Sequence, residues 1–183
     1  MLPPLIILDV QDAINQPVWD GKNNPNYLSA IERLLSAWRA RGADVIHVKH
    51  DEANPNSSYH THGPWNAIQA CVAPIGDEPV IAKAQNCAFI DTDLHSVLQK
   101  LGAEQFILTG VVIHNSMDAT IRAGKALGYQ ILLPDDATTA VPVTDRNGKM
   151  WLSQDVFDLS LAVLGSEYAK ITSVDAVLNA FTE

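Results

Sequence analysis

Short uninterrupted apolar runs alternate along this chain with segments whose apolar residues recur every three or four positions. Leu5-Ile-Ile-Leu-Asp-Val, Asp44-Val-Ile-His-Val, Pro79-Val-Ile-Ala-Lys83, Phe106-Ile-Leu, Gln130-Ile-Leu-Leu-Pro134 and Ala169-Lys-Ile-Thr are of the first kind. Runs this short and this apolar predict strands of a parallel sheet buried on both faces. Leu28, Ile31, Leu34, Leu35 and Trp38 predict a helix that Asn24 caps, Pro25 starts and Gly42 ends. Leu94, Val97, Leu98 and Leu101 predict a second helix, and Met117, Ile121 and Leu127 a third that stops at Gly128. Residues 138–150 are expected to loop out, Ser153 and Gln154 open a fourth helix, with Val156, Leu159, Leu161, Val163 and Leu164, and residues 173–181 form the closing one. Six strands alternating with helices predict an α/β fold: a central, mainly parallel six-stranded sheet with helices on both faces, because parallel strands require right-handed crossovers.

A length of 183 residues suits one domain, residues 1–183, with one core and no linker or repeat. No run approaches the roughly 20 apolar residues of a membrane span. Met1-Leu-Pro-Pro leads straight into the first strand without a basic start or a cleavage site, so a cytoplasmic protein is expected. The 12 Lys and Arg stand against 21 Asp and Glu, and a net charge of −9 repels nucleic acid and anionic membranes, which excludes both as partners. Cys71 and Cys87 have no metal-ligand or redox spacing and read as free thiols. No G-x-G-x-x-G follows the first strand, which argues against a dinucleotide, and no cofactor is expected.

Polar residues at the carboxyl ends of such strands carry the candidate chemistry, since these ends open on the crevice where open α/β sheets bind ligands. Asp9 closes the first strand, where it either accepts backbone hydrogen bonds in the following turn or serves as a catalytic carboxylate. Lys83 ends the third run just before Asn86-Cys-Ala-Phe89. Gly110 breaks the fourth, and His114, Asn115 and Ser116 then open a helix whose free N–H groups favour an anion or a developing oxyanion. The polar stretch 12–24, with Trp19, is suited to lie over such a site as a loop. His47 reads as a satisfied interior or rim histidine rather than a ligand. Residues 50–78 lack periodicity; within them Tyr59, His60 and Trp65 fit either a substrate pocket or a subunit contact. Asp51, His60 and His62 match no metal-ligand spacing, so no metal is expected.

These residues form an ordered pattern across almost the whole chain. Leu8-Asp9-Val-Gln11, Lys83 with Asn86-Cys-Ala-Phe89-Ile-Asp-Thr-Asp-Leu94, Thr109-Gly-Val111, Thr120-Ile-Arg122, Leu127-Gly-Tyr129 and Asp135-Asp-Ala137 closely resemble the isochorismatase-like cysteine hydrolase family. The resemblance implies a Rossmann-like three-layer fold, a small-molecule substrate and a homo-oligomer, dimer or tetramer. It also implies that Asp9 takes a proton, that Lys83 stabilises negative charge, and that a nucleophile at the helix start attacks a carbonyl. A cis peptide at Val111–Val112 and an oxyanion hole from the N–H groups of Val112 and Ser116 follow from the same alignment. Gln11, Trp19, Tyr59, Asn86, Cys87, Phe89, His114 and Asn115 are the candidate pocket residues.

The pattern departs from the family at the nucleophile. Counting from Gly110, the family's cysteine position falls on Ser116, and a serine hydroxyl stays protonated where a cysteine would be largely thiolate, so it needs a base, either Asp9 or Lys83. Ile14 stands where the family often has an aromatic residue, and the nicotinamidase-type Asp and His metal pattern is absent. Cys87 is no substitute nucleophile, because its thiol would not sit on the helix that supplies the oxyanion hole. Three functions fit: an amide or ester hydrolase using Asp9, Lys83 and Ser116; nucleophile-free vinyl-ether hydrolysis, as in true isochorismatases; and a non-catalytic relative that binds a small molecule.

Overall fold

The apolar runs do become a sheet, buried on both faces at its centre, while the edge strand Val80–Lys83 is exposed on one face and Lys170–Thr172 is exposed or half-buried. A computed structural model describes residues 2–181. In chain order its elements are β1 (Leu5–Leu8), α1 (Tyr27–Ala40), β2 (Val45–His50), β3 (Val80–Lys83), α2 (Leu94–Lys100), β4 (Gln105–Val111), α3 (Asp118–Ala126) and β5 (Gln130–Pro134). There follow β6 (Thr138–Thr139), β7 (Val143–Thr144), β8 (Met150–Trp151), α4 (Ser153–Glu167), β9 (Lys170–Thr172) and α5 (Val174–Ala180). Among the described residues the main sheet has seven strands in the order β3-β2-β1-β4-β5-β9, with β6 paired to β4, and all its pairings are parallel. Side chains alternate along β1: Leu5 and Ile7 pack with Ile31, Leu34 and Trp38 of α1 and Val174 and Val177 of α5. Ile6 and Leu8 face the other way, onto Leu94 and Leu98 of α2, Ile121 of α3 and Phe157 and Leu164 of α4. No described helix is long and apolar enough to cross a membrane.

The strand order places the chemistry. From β1 the chain winds outward through β2 to β3, then returns to lay β4 on the opposite side of β1. The β1/β4 boundary is therefore the topological switch point, and a crevice opens beyond the carboxyl ends of these two strands. Gly110 is required there, with φ at +130° and a Cβ position only 2.1 Å from the Leu8 carbonyl oxygen.

Three expectations need correction. Helix α1 begins at Tyr27 with Asn26 at its N-cap, not at Pro25 with Asn24. The Asn24 amide is engaged elsewhere: Nδ2 donates to the carbonyls of Asp136 and Thr138, and Oδ1 accepts from Asn26 N–H in a tight turn. The sheet has a seventh strand, because β6 reaches the end of β4. Residues 138–150 are not all loop, since β7 and β8 form an exposed hairpin whose turn is held by Asp145 and Gly148. Histidine 47 is an interior residue, 1% exposed, with Nε2 2.9 Å from Glu78 Oε2, a carboxylate that also holds Arg39 of α1.

Candidate active site

Asp9, the first residue beyond β1, adopts a left-handed backbone (φ +59°), which aspartate tolerates better than most residues and which ends the strand. Its carboxylate does not serve the following turn. Oδ2 accepts from Lys83 Nζ at 2.8 Å, and Oδ1 has no hydrogen-bond partner among the described residues. Lys83 closes β3, two strands away, and its ammonium is 0% exposed. The same Nζ lies 3.1 Å from His50 Nδ1 and 3.3 Å from Ser116 Oγ, so its three protons meet three acceptors. Ser116 reaches this point from a π-helical turn, Ile113–Met117, inserted between β4 and α3. The Val111–Val112 peptide bond preceding the turn is cis.

Asp9 and Ser116 lie at the buried end of a cavity of about 180 Å³, whose walls include Ile14, His50, Tyr59, Val111 and Val112. Trp19, Glu52, Ser57, Asn86 and Asn115 line it toward solvent. Of the sequence candidates, Trp19, Tyr59, Asn86 and Asn115 line the cavity; Gln11, Cys87, Phe89 and His114 do not. The Gln11 amide is fully buried and stitches the end of β2 to the 50–78 segment through His50 and Asn66. Phe89 stacks on Tyr129 and packs near Phe106, the Cys87 Sγ accepts from Phe89 N–H, and His114 faces an outer groove with Trp151 and Leu159. His60 and Trp65 line a neighbouring groove instead. Among the described residues no group of three His, Cys, Asp or Glu is placed to hold a metal ion.

Two residues here escaped the sequence reading. His50 ends β2 in register with Lys83, and its ring packs edge-on against Tyr59 at 5.7 Å. Glu52 Oε2 lies 3.8 Å from His50 Nε2. The signal for His50 was positional: it is the carboxyl-end residue of the strand between those that end in Asp9 and Lys83.

Burial sets the electrostatics. It raises the Asp9 carboxyl above its ordinary value of 3.8, against the downward pull of the Lys83 ammonium, the nearby Ser116 hydroxyl and His50. Burial lowers His50, and the Lys83 charge lowers it further, against the upward pull of Asp9 and Glu52; Nδ1 accepts from the Lys83 ammonium, which leaves the ring proton to Nε2. Tyr59 is pushed well up by burial and by Asp9, and its hydroxyl donates to the Asp9 carbonyl at 3.2 Å.

A family model described as the isochorismatase domain matches residues 3–157. An isochorismatase-family protein of Bacillus subtilis, YrdC, is 32% identical over 177 residues, covering 97% of this chain and 95% of its own. The crystal structure of an isochorismatase-family protein from Chromobacterium violaceum superposes with a TM-score of 0.94 at 37% identity, covering 98% of this chain and 93% of the other. A streptothricin hydrolase of Streptomyces noursei is 30% identical over 133 residues, 73% of this chain and 48% of that protein. The chain belongs to the isochorismatase family of hydrolases.

Proposed function

We propose that this protein hydrolyses a small amide, ester or related metabolite, with Ser116 as nucleophile, Asp9 as general base and acid, and Lys83 as the fixed cation between them. The observation that carries this reading is the Lys83 ammonium, buried and bonded at once to Asp9 Oδ2 and Ser116 Oγ at the closed end of the cavity. Because that ammonium donates to three acceptors, it is no base; the base is Asp9, whose Oδ1 has no partner among the described residues and whose pKa burial raises. In the reaction the Ser116 hydroxyl adds to the carbonyl carbon and passes its proton to Asp9. Lys83 stabilises the serine oxygen as its proton leaves, and the Val112 and Ser116 N–H groups receive the carbonyl oxygen as it gains charge. Asp9 then protonates the leaving amine or alcohol, and water drawn through the same carboxylate releases the acid and regenerates Ser116.

The raised Asp9 pKa also favours a second reading, in which protonated Asp9 donates to the carbon of a vinyl ether and water completes the cleavage without a nucleophile. The two readings have opposite pH dependence. A base must be ionised, so amide or ester turnover falls as pH drops through a limb lying above the ordinary aspartate value; an acid must be protonated, so vinyl-ether cleavage falls as pH rises through that limb. Assaying a panel of small amides, esters and enol ethers with wild type and Ser116→Ala tests this. Amide or ester turnover lost in Ser116→Ala is the expected result. Enol-ether cleavage that survives the substitution would establish the second reading, and no turnover by wild type would leave a binding protein.

A further inference from the structure

The buried end of the cavity is balanced in charge, Asp9 against Lys83, but its mouth is not. Glu52 lines the mouth with no Lys or Arg beside it among the lining residues. Its Oε1 accepts from Asn54 N–H at 3.1 Å, a backbone contact that lowers its pKa and keeps it ionised. Among the described residues the base near Oε2 is His50, 3.8 Å away, a ring whose other nitrogen accepts from the Lys83 ammonium. The same cavity is lined by Trp19, whose indole N–H already donates to Ser58 Oγ at 3.0 Å. Tyr59 holds the indole edge-on at 5.8 Å. What Trp19 offers a ligand is therefore its ring and not a donor. An uncompensated carboxylate together with a fixed indole ring is the pairing that holds an organic cation, through charge on one side and the ring quadrupole on the other.

We infer that the substrate is a small cationic amide or ester whose ammonium group sits at the mouth between Glu52 and Trp19 while its carbonyl lies over Ser116. This rests on the hydrolase reading above. The net charge of −9 favours the approach of such a molecule. The cavity, about 180 Å³, lies below the roughly 300–1,000 Å³ typical of drug-sized sites and suits a compact ligand.

A matched pair of amides separates charge from shape: trimethylammonioacetamide and its neutral carbon isostere, 3,3-dimethylbutanamide. Binding of each to the full-length protein is measured by titration calorimetry, and hydrolysis separately by ammonia release. Wild type is expected to bind the cation about tenfold or more tightly than the isostere, within the range open to a desolvated cation–π contact plus a carboxylate. Glu52→Gln should remove most of that preference while leaving the affinity for the isostere unchanged, Trp19→Leu should also weaken it, and salt should erode it in wild type. Equal affinity for the two amides, no binding of the cation, or a preference that survives Glu52→Gln overturns the inference. Hydrolysis of both amides with equal affinity would leave the hydrolase reading standing without its cation; cation-selective binding without hydrolysis would do the reverse.

Discussion

Ser116→Cys raises amide or ester turnover by roughly tenfold or more, because a thiol beside a buried ammonium and a helix start ionises well below the free cysteine range of about 8.5, whereas a serine hydroxyl does not. The sulfur takes the place of an oxygen already 3.3 Å from Lys83 Nζ, and the side chains are nearly equal in size, so folding is little changed. Asp9→Asn in the Ser116→Cys background should abolish the gain, with a loss on the order of 10²–10⁴-fold, since the leaving group still needs a proton. Steady-state kinetics of the two variants and wild type check this. A Ser116→Cys protein no faster than wild type would mean that the site is not a hydrolase frame awaiting a thiolate.

The second large effect is on stability. Lys83→Met leaves Asp9, with a side chain 5% exposed, as a buried carboxylate without its counter-charge, at an expected cost of about 3–5 kcal/mol. The sign of its pH dependence follows from Asp9. Its folded-state pKa, already raised by burial, rises further once the ammonium is gone. The neutral acid is then favoured by the fold, so the loss is small below the ordinary aspartate value and grows as pH rises through the raised one. Asn at position 9 removes the charge that lacks a partner, and Asp9→Asn/Lys83→Met should recover much of the loss. Urea unfolding at low and neutral pH, arranged as a double-mutant cycle, measures the coupling directly. A cycle without coupling would contradict the ion pair as the element that holds these strand ends together.

How much of this was legible follows from what each residue answers to. The strands were, because central strands such as β1, buried on both faces, leave continuous apolar runs, and Asp9 and Lys83 stood out because a charge closing an apolar run is unusual. His50 did not, since β2 continues two residues beyond the apolar run and passes through Lys49, which reads as the start of a loop. Strands β6, β7 and β8 are two residues each, too short for any periodicity to show. Residues near the site in sequence were assigned to it too freely. In the turn after β4, Val112, Asn115 and Ser116 line the cavity, Ile113 and Met117 enter the core and His114 faces outward, so one turn distributes its side chains over three environments. Asn24 carries the composition of a helix cap but holds a distant loop, a role visible only once the chain has closed.

The central claim, that Ser116 forms a covalent intermediate with Asp9 and Lys83 at its side, is tested most directly by trapping that intermediate. The protein is mixed with an activated small ester, quenched in acid during turnover and weighed intact by mass spectrometry, with the peptide containing Ser116 then isolated. An acyl adduct on Ser116 in wild type, absent from Ser116→Ala and slow to form in Asp9→Asn, is the expected result. Ester turnover with no adduct on Ser116, undiminished in Ser116→Ala, would contradict it.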